Sequence, residues 1–189
     1  MNEILSGQRP YPLSSPIVPG STAIGGIESL DPDSASLQIG KLVFHDVTIC
    51  ARNDPDVQIL FGIHGSGYSA AQKLKDGEWR NATWAEYAKF LLENLYPINE
   101  EVVCWGMGYS LAELTTLAIC SVPFGGLSSL GVGARESVIV APATECYEGA
   151  AVTVTVSAGC RVVAAGRNIA RLEALSAIYE KTWRFKMVV

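Results

Sequence analysis

The sequence has few of the residues that form the commonest catalytic and metal sites. It contains only two histidines, and its five cysteines are odd in number and include no Cys-x-x-Cys pair. This pattern argues against a disulfide framework and against a cysteine-rich zinc site, because both need paired or regularly spaced cysteines. We therefore expect free thiols and no bound metal, as is typical of a protein in the reducing cytoplasm.

Basic clusters and long apolar runs are also lacking. The 14 Lys and Arg residues are outnumbered by 19 Asp and Glu, and the resulting formal charge of -5 argues against a nucleic-acid-binding surface. No segment has the features of a secretory signal, and we expect no apolar run long enough to cross a membrane. With 49% hydrophobic residues in 189 positions, the chain is expected to fold as a soluble, globular, cytoplasmic protein.

The most regular pattern lies in the second half of the chain. A β-branched apolar run over residues 137–141 predicts a strand of a parallel sheet, buried on both faces. After a loop over residues 142–148, the small residues 149–158 predict a helix that ends at Gly159. Residues 161–165 predict a second strand. Strand, loop, helix and strand form a βαβ unit, which places the chain in the α/β class.

A βαβ unit of this kind is suited to binding a nucleotide. The loop after its first strand and the N-terminus of its helix form an anion site, because unpaired N–H groups and the helix dipole point the same way. At the end of the second strand, an acidic residue binds the ribose of NAD, whereas an arginine accommodates the 2′-phosphate of NADP. Arg167 occupies that position, with no Asp or Glu beside it. The pattern predicts NADP as the cofactor.

Three segments, taken in order along the chain, carry a family resemblance. Residues 18–27 have the form V-P-G-x-x-x-x-G-x-I, residues 81–88 contain the string Trp-Ala-Glu-Tyr, and residues 143–168 hold the βαβ unit. Together they resemble the medium-chain dehydrogenase/reductase family. The zinc-dependent members of that family have a His-Glu pair where this chain has Ser21 and Thr22. The resemblance is therefore to the zinc-independent, quinone-reductase-like alcohol dehydrogenase homologues.

This resemblance implies a partial GroES-like β-barrel with an N-terminal arm over residues 1–105, followed by a truncated Rossmann-type βαβ unit over residues 106–189. It implies an NADP(H)-linked oxidoreductase acting on a small carbonyl or enone metabolite, including roles in specialised-metabolite biosynthesis, and it assigns no catalytic residue. A chain shortened at both ends is expected to need a homo-oligomer or partner chain over the open sheet edge. The residues expected around the nucleotide are Thr144, Tyr147, Gly149, Gly166, Arg167 and Asn168.

The loop of the βαβ unit departs from the family pattern at Glu145 and Glu148, where glycines are usual. A Cβ obstructs close approach of the backbone to a pyrophosphate, and two carboxylates repel it. One alternative is therefore a cofactor-independent cyclase or isomerase that uses these carboxylates as acid and base. A non-catalytic remnant or subunit is another. His45, which precedes Asp46, is a candidate general base or an ordinary partly buried histidine.

Helix ends are predicted at several positions. Ser110 and Glu113 form the pattern of a capping box and predict a helix that Pro123 ends. Asn168 is a favourable N-cap for a helix over residues 169–179. Residues 183–189 are expected to begin a third strand.

Overall fold

A computed structural model describes residues 2–8, 16–62 and 68–189 of the chain. The chain divides into two compact units, Met1–Thr115 and Thr116–Val189. The first unit contains antiparallel strands, and the second contains a parallel sheet with helices, so the α/β class is confirmed. Much of the expected N-terminal arm, over residues 9–15, lies outside the described residues.

The first unit contains short antiparallel strands. They are β1 (Ile24–Gly26), β2 (Leu42–His45), β3 (Thr48–Ala51), β4 (Asp54–Leu60) and β5 (Leu95–Pro97). Strands β1, β2 and β5 form a three-stranded sheet with β2 in the centre, whereas β3 and β4 pair as a hairpin. Within the described residues these are two separate sheets, so the GroES-like barrel stays a prediction.

Short helices connect and follow these strands. They are α1 (Asn2–Leu5), α2 (Ser69–Asp76), a 3₁₀-helix (Leu92–Asn94), a π-helix (Glu101–Gly106) and α3 (Leu111–Leu114). The predicted capping box at the start of α3 is confirmed. The N–H of Glu113 donates to the Ser110 hydroxyl at 3.3 Å, and the N–H of Ser110 donates to the Glu113 carboxylate at 2.8 Å.

The core of the first unit lies between the hairpin and α2. Ile49 and Ile59 are directly opposite each other in the hairpin, and both are 2% exposed. Ala71 of α2 packs on them, which explains why this short helix forms next to the hairpin. The whole buried cluster consists of Ile49, Ile59, Phe61, Ala71, Trp79 and Ala82.

Two of the three segments that carry the family resemblance pair with each other. The N–H of Ala82 donates to the Val18 carbonyl, and the N–H of Trp84 donates to the Pro19 carbonyl, both at 2.9 Å. The side chain of Asn81 accepts from the N–H of Val18 at 3.0 Å. Residues far apart in sequence are thus joined through their backbones, which accounts for the co-occurrence of these segments.

The second unit is a three-stranded parallel sheet with helices. Its elements are α4 (Leu117–Ser129), β6 (Ser137–Val140), α5 (Cys146–Ser157), β7 (Arg161–Ala165), α6 (Ile169–Ile178) and β8 (Phe185–Val188). The sheet has the order β6-β7-β8. Both strands of the predicted βαβ unit, the helix after Asn168 and the third strand are confirmed. Helix α5 begins three residues earlier than predicted, at Cys146.

Two predictions for the second unit are wrong. Strand β6 is not buried on both faces: Val140 is buried, but Ile139 on the opposite face is 73% exposed. Pro123 does not end a helix but lies inside α4. A proline removes a helical hydrogen bond, but α4 continues through Pro123 and lies next to α5.

The segment Leu111–Ser129, which includes α3 and α4, is long and apolar enough to cross a membrane by length and composition. This segment differs from the expectation that no apolar run is long enough to cross a membrane. Only 6% of the window is buried within the structure. One helix of this kind is by itself weak evidence of a membrane span.

Candidate functional site

The predicted nucleotide-binding residues follow the carboxyl ends of β6 and β7. The N–H of Ala143 donates to the Ala165 carbonyl at 2.8 Å, which joins the segments that leave the two strands. Thr144 and Gly166 come next, and a Cβ on Gly166 would lie 3.4 Å from the Thr144 methyl group. The structure therefore brings Thr144 and Gly166 together at the edge where α/β sheets bind ligands.

Arg171 belongs to this site, although it is not among the residues predicted from the sequence. Its Nη1 donates to the Thr144 carbonyl at 3.1 Å and lies 3.9 Å from Oε1 of Glu145. Asn168 orients this residue, because its side chain accepts from the N–H of Arg171 at 3.1 Å and caps α6. The signal in the sequence was the position of Arg171, in the first turn of a helix that follows the cofactor-selecting strand.

The N-terminus of α5 faces the same loop region. Glu145 is the N-cap residue, but its side chain forms no capping hydrogen bond, so the N–H groups of the first turn have no side-chain partner there. Tyr147 lies in this turn and is 53% exposed. A Cβ on Gly149 would lie 3.8 Å from the Ala143 carbonyl oxygen, an ordinary contact distance. This position therefore does not require glycine for steric reasons.

Arg167 is exposed at the end of β7. Within residues 2–8, 16–62 and 68–189 it forms no hydrogen bond or ion pair, so its guanidinium is available to a ligand. Thr144 lies next to Gly166, and Arg171 hydrogen-bonds to both Thr144 and Asn168. Arg167 and Tyr147 lie beside these residues in sequence but form no hydrogen bond to them in the described part of the chain.

The carboxylate of Glu145 does not have the surroundings of a catalytic acid or base. Such a group normally needs burial to raise the pKa of its carboxyl. The Glu145 side chain is 62% exposed and pairs with Arg171. The cofactor-free cyclase or isomerase therefore gains no support from this residue.

His45 and Asp46 in the first unit do not form a catalytic pair. Nδ1 of His45 lies 3.0 Å from the backbone oxygen of Asp46, while the Asp46 carboxylate accepts from the N–H of Thr48 at 2.8 Å. Burial lowers the pKa of the His45 imidazole. A neutral, buried ring without a carboxylate partner lacks the second group that orients a general base in a triad.

Comparison with solved structures identifies the fold. An alcohol dehydrogenase from Thermus sp. ATN1 is 18% identical, with a TM-score of 0.67 over 94% of this chain and 49% of that chain. The CAD protein from Helicobacter pylori, complexed with NADP(H), is 15% identical, with a TM-score of 0.69 over 93% and 49%. The fold is that of medium-chain alcohol dehydrogenases. The resemblance stated from the sequence is thus confirmed for the fold.

A third medium-chain structure, the cobalt- and zinc-bound alcohol dehydrogenase from Pyrobaculum aerophilum, is 18% identical, with a TM-score of 0.66 over 98% of this chain and 52% of that chain. The chain thus spans about half the length of the structures it matches. Comparisons with protein-family models and with curated protein sequences gave no match.

Metal ligands are not grouped in the described part of this medium-chain fold. Residues 2–8, 16–62 and 68–189 contain no cluster of three or more His, Cys, Asp or Glu side chains that could hold a metal ion. Ser21 and Thr22 lie where the sequence resemblance would place the His-Glu pair of zinc-dependent members. All five cysteines are free thiols.

Proposed function

We propose that the chain contributes the NADP(H)-binding part of a zinc-independent, medium-chain oxidoreductase that acts on a small carbonyl or enone metabolite in the cytoplasm. The observation that carries the proposal is the placement of Arg167 and Arg171. Arg167 follows β7, and Arg171 lies in the first turn of the next helix. In a βαβ unit of this type, the 2′-phosphate of NADP lies at the end of the second strand.

The charge and geometry of these side chains fit a phosphate. A guanidinium binds phosphate oxygens through two parallel N–H bonds, and Arg167 has no competing protein partner among the described residues. The hydrogen bond from Arg171 to the Thr144 carbonyl directs its guanidinium toward the loop. Bound NADPH would supply the hydride, and this chain would hold its phosphates and orient the nucleotide.

The pyrophosphate would lie at the N-terminus of α5. The uncapped first turn of this helix favours an anion. Glu145 opposes that anion, but its pairing with Arg171 offsets part of its charge. We therefore expect binding that is weaker than in a glycine-rich loop. The resemblance to family members in specialised-metabolite biosynthesis suggests that the substrate belongs to such a pathway.

A calorimetric titration of the purified chain with NADPH and with NADH tests the proposal. NADPH should bind at least about tenfold more tightly, which corresponds to about 1.4 kcal/mol. Arg167→Gln should reduce NADPH affinity to that of NADH. Arg161→Gln is the matched control, because it removes the same charge at the opposite end of β7. Equal affinities, or no binding at millimolar NADPH, would reject the proposal.

We further propose that a second copy of the chain covers the free edge of β6. The strand pairs only with β7 among the described residues, and Ile139 on it is 73% exposed. Antiparallel pairing of two β6 strands is self-complementary, so a two-fold dimer would satisfy both edges at once.

A further inference from the structure

The two faces of the parallel sheet in the second unit have different surroundings. Successive residues of a strand point to opposite faces, so Val140 and Ile139 lie on different sides of β6. Val140 belongs to a buried cluster that includes Val152 of α5 and Leu172 of α6, so both helices pack on the Val140 side. Ile139, on the other side, is 73% exposed. Within the described residues, this second face of the sheet is left largely uncovered.

The strand register shows which apolar residues share the uncovered face, which we call the open face. Ile139 of β6 is opposite Val163 of β7. Ala165 lies two residues after Val163, on the same side of β7, and is opposite Val188 of β8. Val188 is 50% exposed, and Val163 and Ala165 are partly exposed. These four side chains therefore form a continuous apolar surface across all three strands.

The charged residues of the open face are all basic. Arg161 begins β7 on this face, and Lys186 of β8 is opposite Val163. Strands β6, β7 and β8 contain no Asp or Glu. Within residues 2–8, 16–62 and 68–189, Lys186 forms no ion pair, and the guanidinium of Arg161 donates to the Arg135 carbonyl rather than to a carboxylate. The open face therefore attracts acidic groups, although the whole chain has a formal charge of -5.

An α-helix matches the size of the open face. Three strands at a spacing of about 4.8 Å place the outer two about 10 Å apart, which is close to the diameter of a helix. Strands of this length extend roughly 15 Å, which about ten residues of helix would cover. Parallel sheets normally have helices on both faces, because their strands are apolar on both sides. A helix is therefore the element expected to cover the open face.

The charges argue against a second copy packed face to face as the occupant. Two open faces in contact would bury Arg161 and Lys186 of both copies against strands that carry no carboxylate. Unpaired buried charges are strongly unfavourable. The proposed pairing of two β6 edges is a separate contact, since it joins strands side by side and leaves both open faces uncovered.

We propose that the open face binds an amphipathic helix of another protein. The apolar stripe of that helix packs on Ile139, Val163 and Val188, and its acidic side chains pair with Arg161 and Lys186. Apolar packing supplies the affinity, as in other complexes that bind an amphipathic helix, and the two cations select an acidic partner. This interaction is independent of the proposed oxidoreductase function and does not require NADP(H).

Three synthetic peptides of about 14 residues, or roughly 21 Å of helix, test the proposal on the intact chain by calorimetry at low salt and pH 7.5. The acidic peptide has leucines at helical spacing and glutamates beside them. The basic peptide has lysine in place of each glutamate, and the scrambled peptide has the acidic composition without an apolar stripe. The acidic peptide should bind at least about tenfold more tightly than either of the others. Equal affinity of the acidic peptide and either other peptide, or no binding at millimolar concentration, would overturn the proposal.

A charge reversal locates the binding surface. Lys186→Glu should weaken binding of the acidic peptide about fivefold and strengthen binding of the basic peptide, because it replaces attraction by repulsion on the open face. Lys181→Glu is the matched control, since it changes the net charge equally at an exposed position before β8 and outside the strands. It should leave both affinities unchanged. Equal effects of the two variants, or no effect of Lys186→Glu, would contradict the proposal. If Lys186→Glu does not fold, the comparison of peptides on the wild-type chain still decides.

Discussion

Gly62 lies directly against the backbone of Gly20. A Cβ on Gly62 would be 1.7 Å from the Gly20 carbonyl oxygen, and Gly62 has φ = +75°. Gly20, with φ = +109°, is equally restricted, because a Cβ there would lie 2.3 Å from the Thr83 hydroxyl. The glycine of the V-P-G segment is thus needed where three stretches of chain approach each other at backbone distance.

Gly62→Ala should therefore destabilise the first unit strongly. Left-handed backbone and overlap with a carbonyl oxygen together should cost about 3 kcal/mol or more in the free energy of unfolding. Gly40→Ala is the matched control, because Gly40 has φ = +81° but nothing within 4 Å of a Cβ. It should cost only about 1–2 kcal/mol. Urea unfolding of both variants measures the difference, and equal losses would contradict the close approach.

Glu145→Gln should strengthen NADPH binding. The change removes repulsion of the phosphates and frees Arg171 from its ion pair. Both groups are exposed, so we expect a gain of about 1 kcal/mol at most, or about fivefold in affinity, that shrinks at high salt. Glu173→Gln changes the net charge equally on the exposed side of α6 and should have little effect. Calorimetry with NADPH compares the two. A gain of equal size in both variants would show that only net charge matters.

The parts of the fold that depend on local pattern were predictable. Strand β7 has the predicted bounds, and the side chain of Asn168 caps α6 as expected. Such features depend on residues close together in sequence, for which capping and strand propensity are sufficient. They also gave the βαβ order that leads to the candidate site.

The hairpin of β3 and β4 shows why other parts were not predictable. Strand β4 begins at Asp54 and includes Pro55, although a proline cannot donate to a strand ladder. The structure accommodates Pro55 at an irregularity, where Cys50 pairs with Gln58 but the neighbouring Ala51 pairs with Asp54. The side chain of Gln58 donates to the Pro55 carbonyl at 2.8 Å. A bulge of this kind depends on pairing across the hairpin and leaves little local signal.

The set of site residues predicted from the sequence was incomplete for a similar reason. Arg171 reaches Thr144, which is 27 positions earlier in the chain. Its role depends on how the loop after β6 and the start of α6 meet in space. The positions of Arg167 after a strand and of Arg171 in the next helix can be read from the sequence. The contact between Arg171 and the loop at Thr144 cannot, because it depends on how the chain folds.

Lower pH should destabilise the chain through His45. Its pKa is lowered from 6.5 in the folded state, mainly by burial. Above about pH 6.5 both states are neutral at this residue. Below about pH 6.5 the unfolded chain binds a proton at His45 more readily than the folded chain does. The free energy of unfolding therefore decreases as the pH is lowered. Between pH 6.5 and 5.5 the loss is limited to about 1 kcal/mol at most, since one pKa unit is worth about 1.4 kcal/mol.

Urea unfolding at pH 7.5 and 5.5 measures this loss. His45→Asn should remove it, whereas the control His64→Gln, at the other histidine, should retain it. The range stops at pH 5.5 because hydrogen bonds lower the pKa values of two carboxyls from 4.5. The donors are Lys89 for Glu78 and the backbone of Ser110 for Glu113. The stability that these ionised carboxylates contribute is lost only at a pH below this range. If His45→Asn keeps the same pH dependence of unfolding, a group other than His45 causes the loss.

Ile139→Lys should dissociate the proposed dimer. Two antiparallel β6 strands would bring the two copies of Ile139 close together, and a charge on each edge strand would repel its partner. Light scattering coupled to gel filtration should give twice the chain mass of 20.2 kDa for the wild type and the monomer mass for the variant.

Ile178→Lys is the matched control for this test, since Ile178 at the end of α6 is 71% exposed, against 73% for Ile139. A lysine there adds the same charge and removes the same exposed apolar side chain, but it does not touch the β6 edge. This variant should stay dimeric. Dissociation of both variants would show that general surface charge, not strand pairing, controls assembly. A wild-type chain that stays monomeric at all concentrations would reject the second copy as the occupant of the edge.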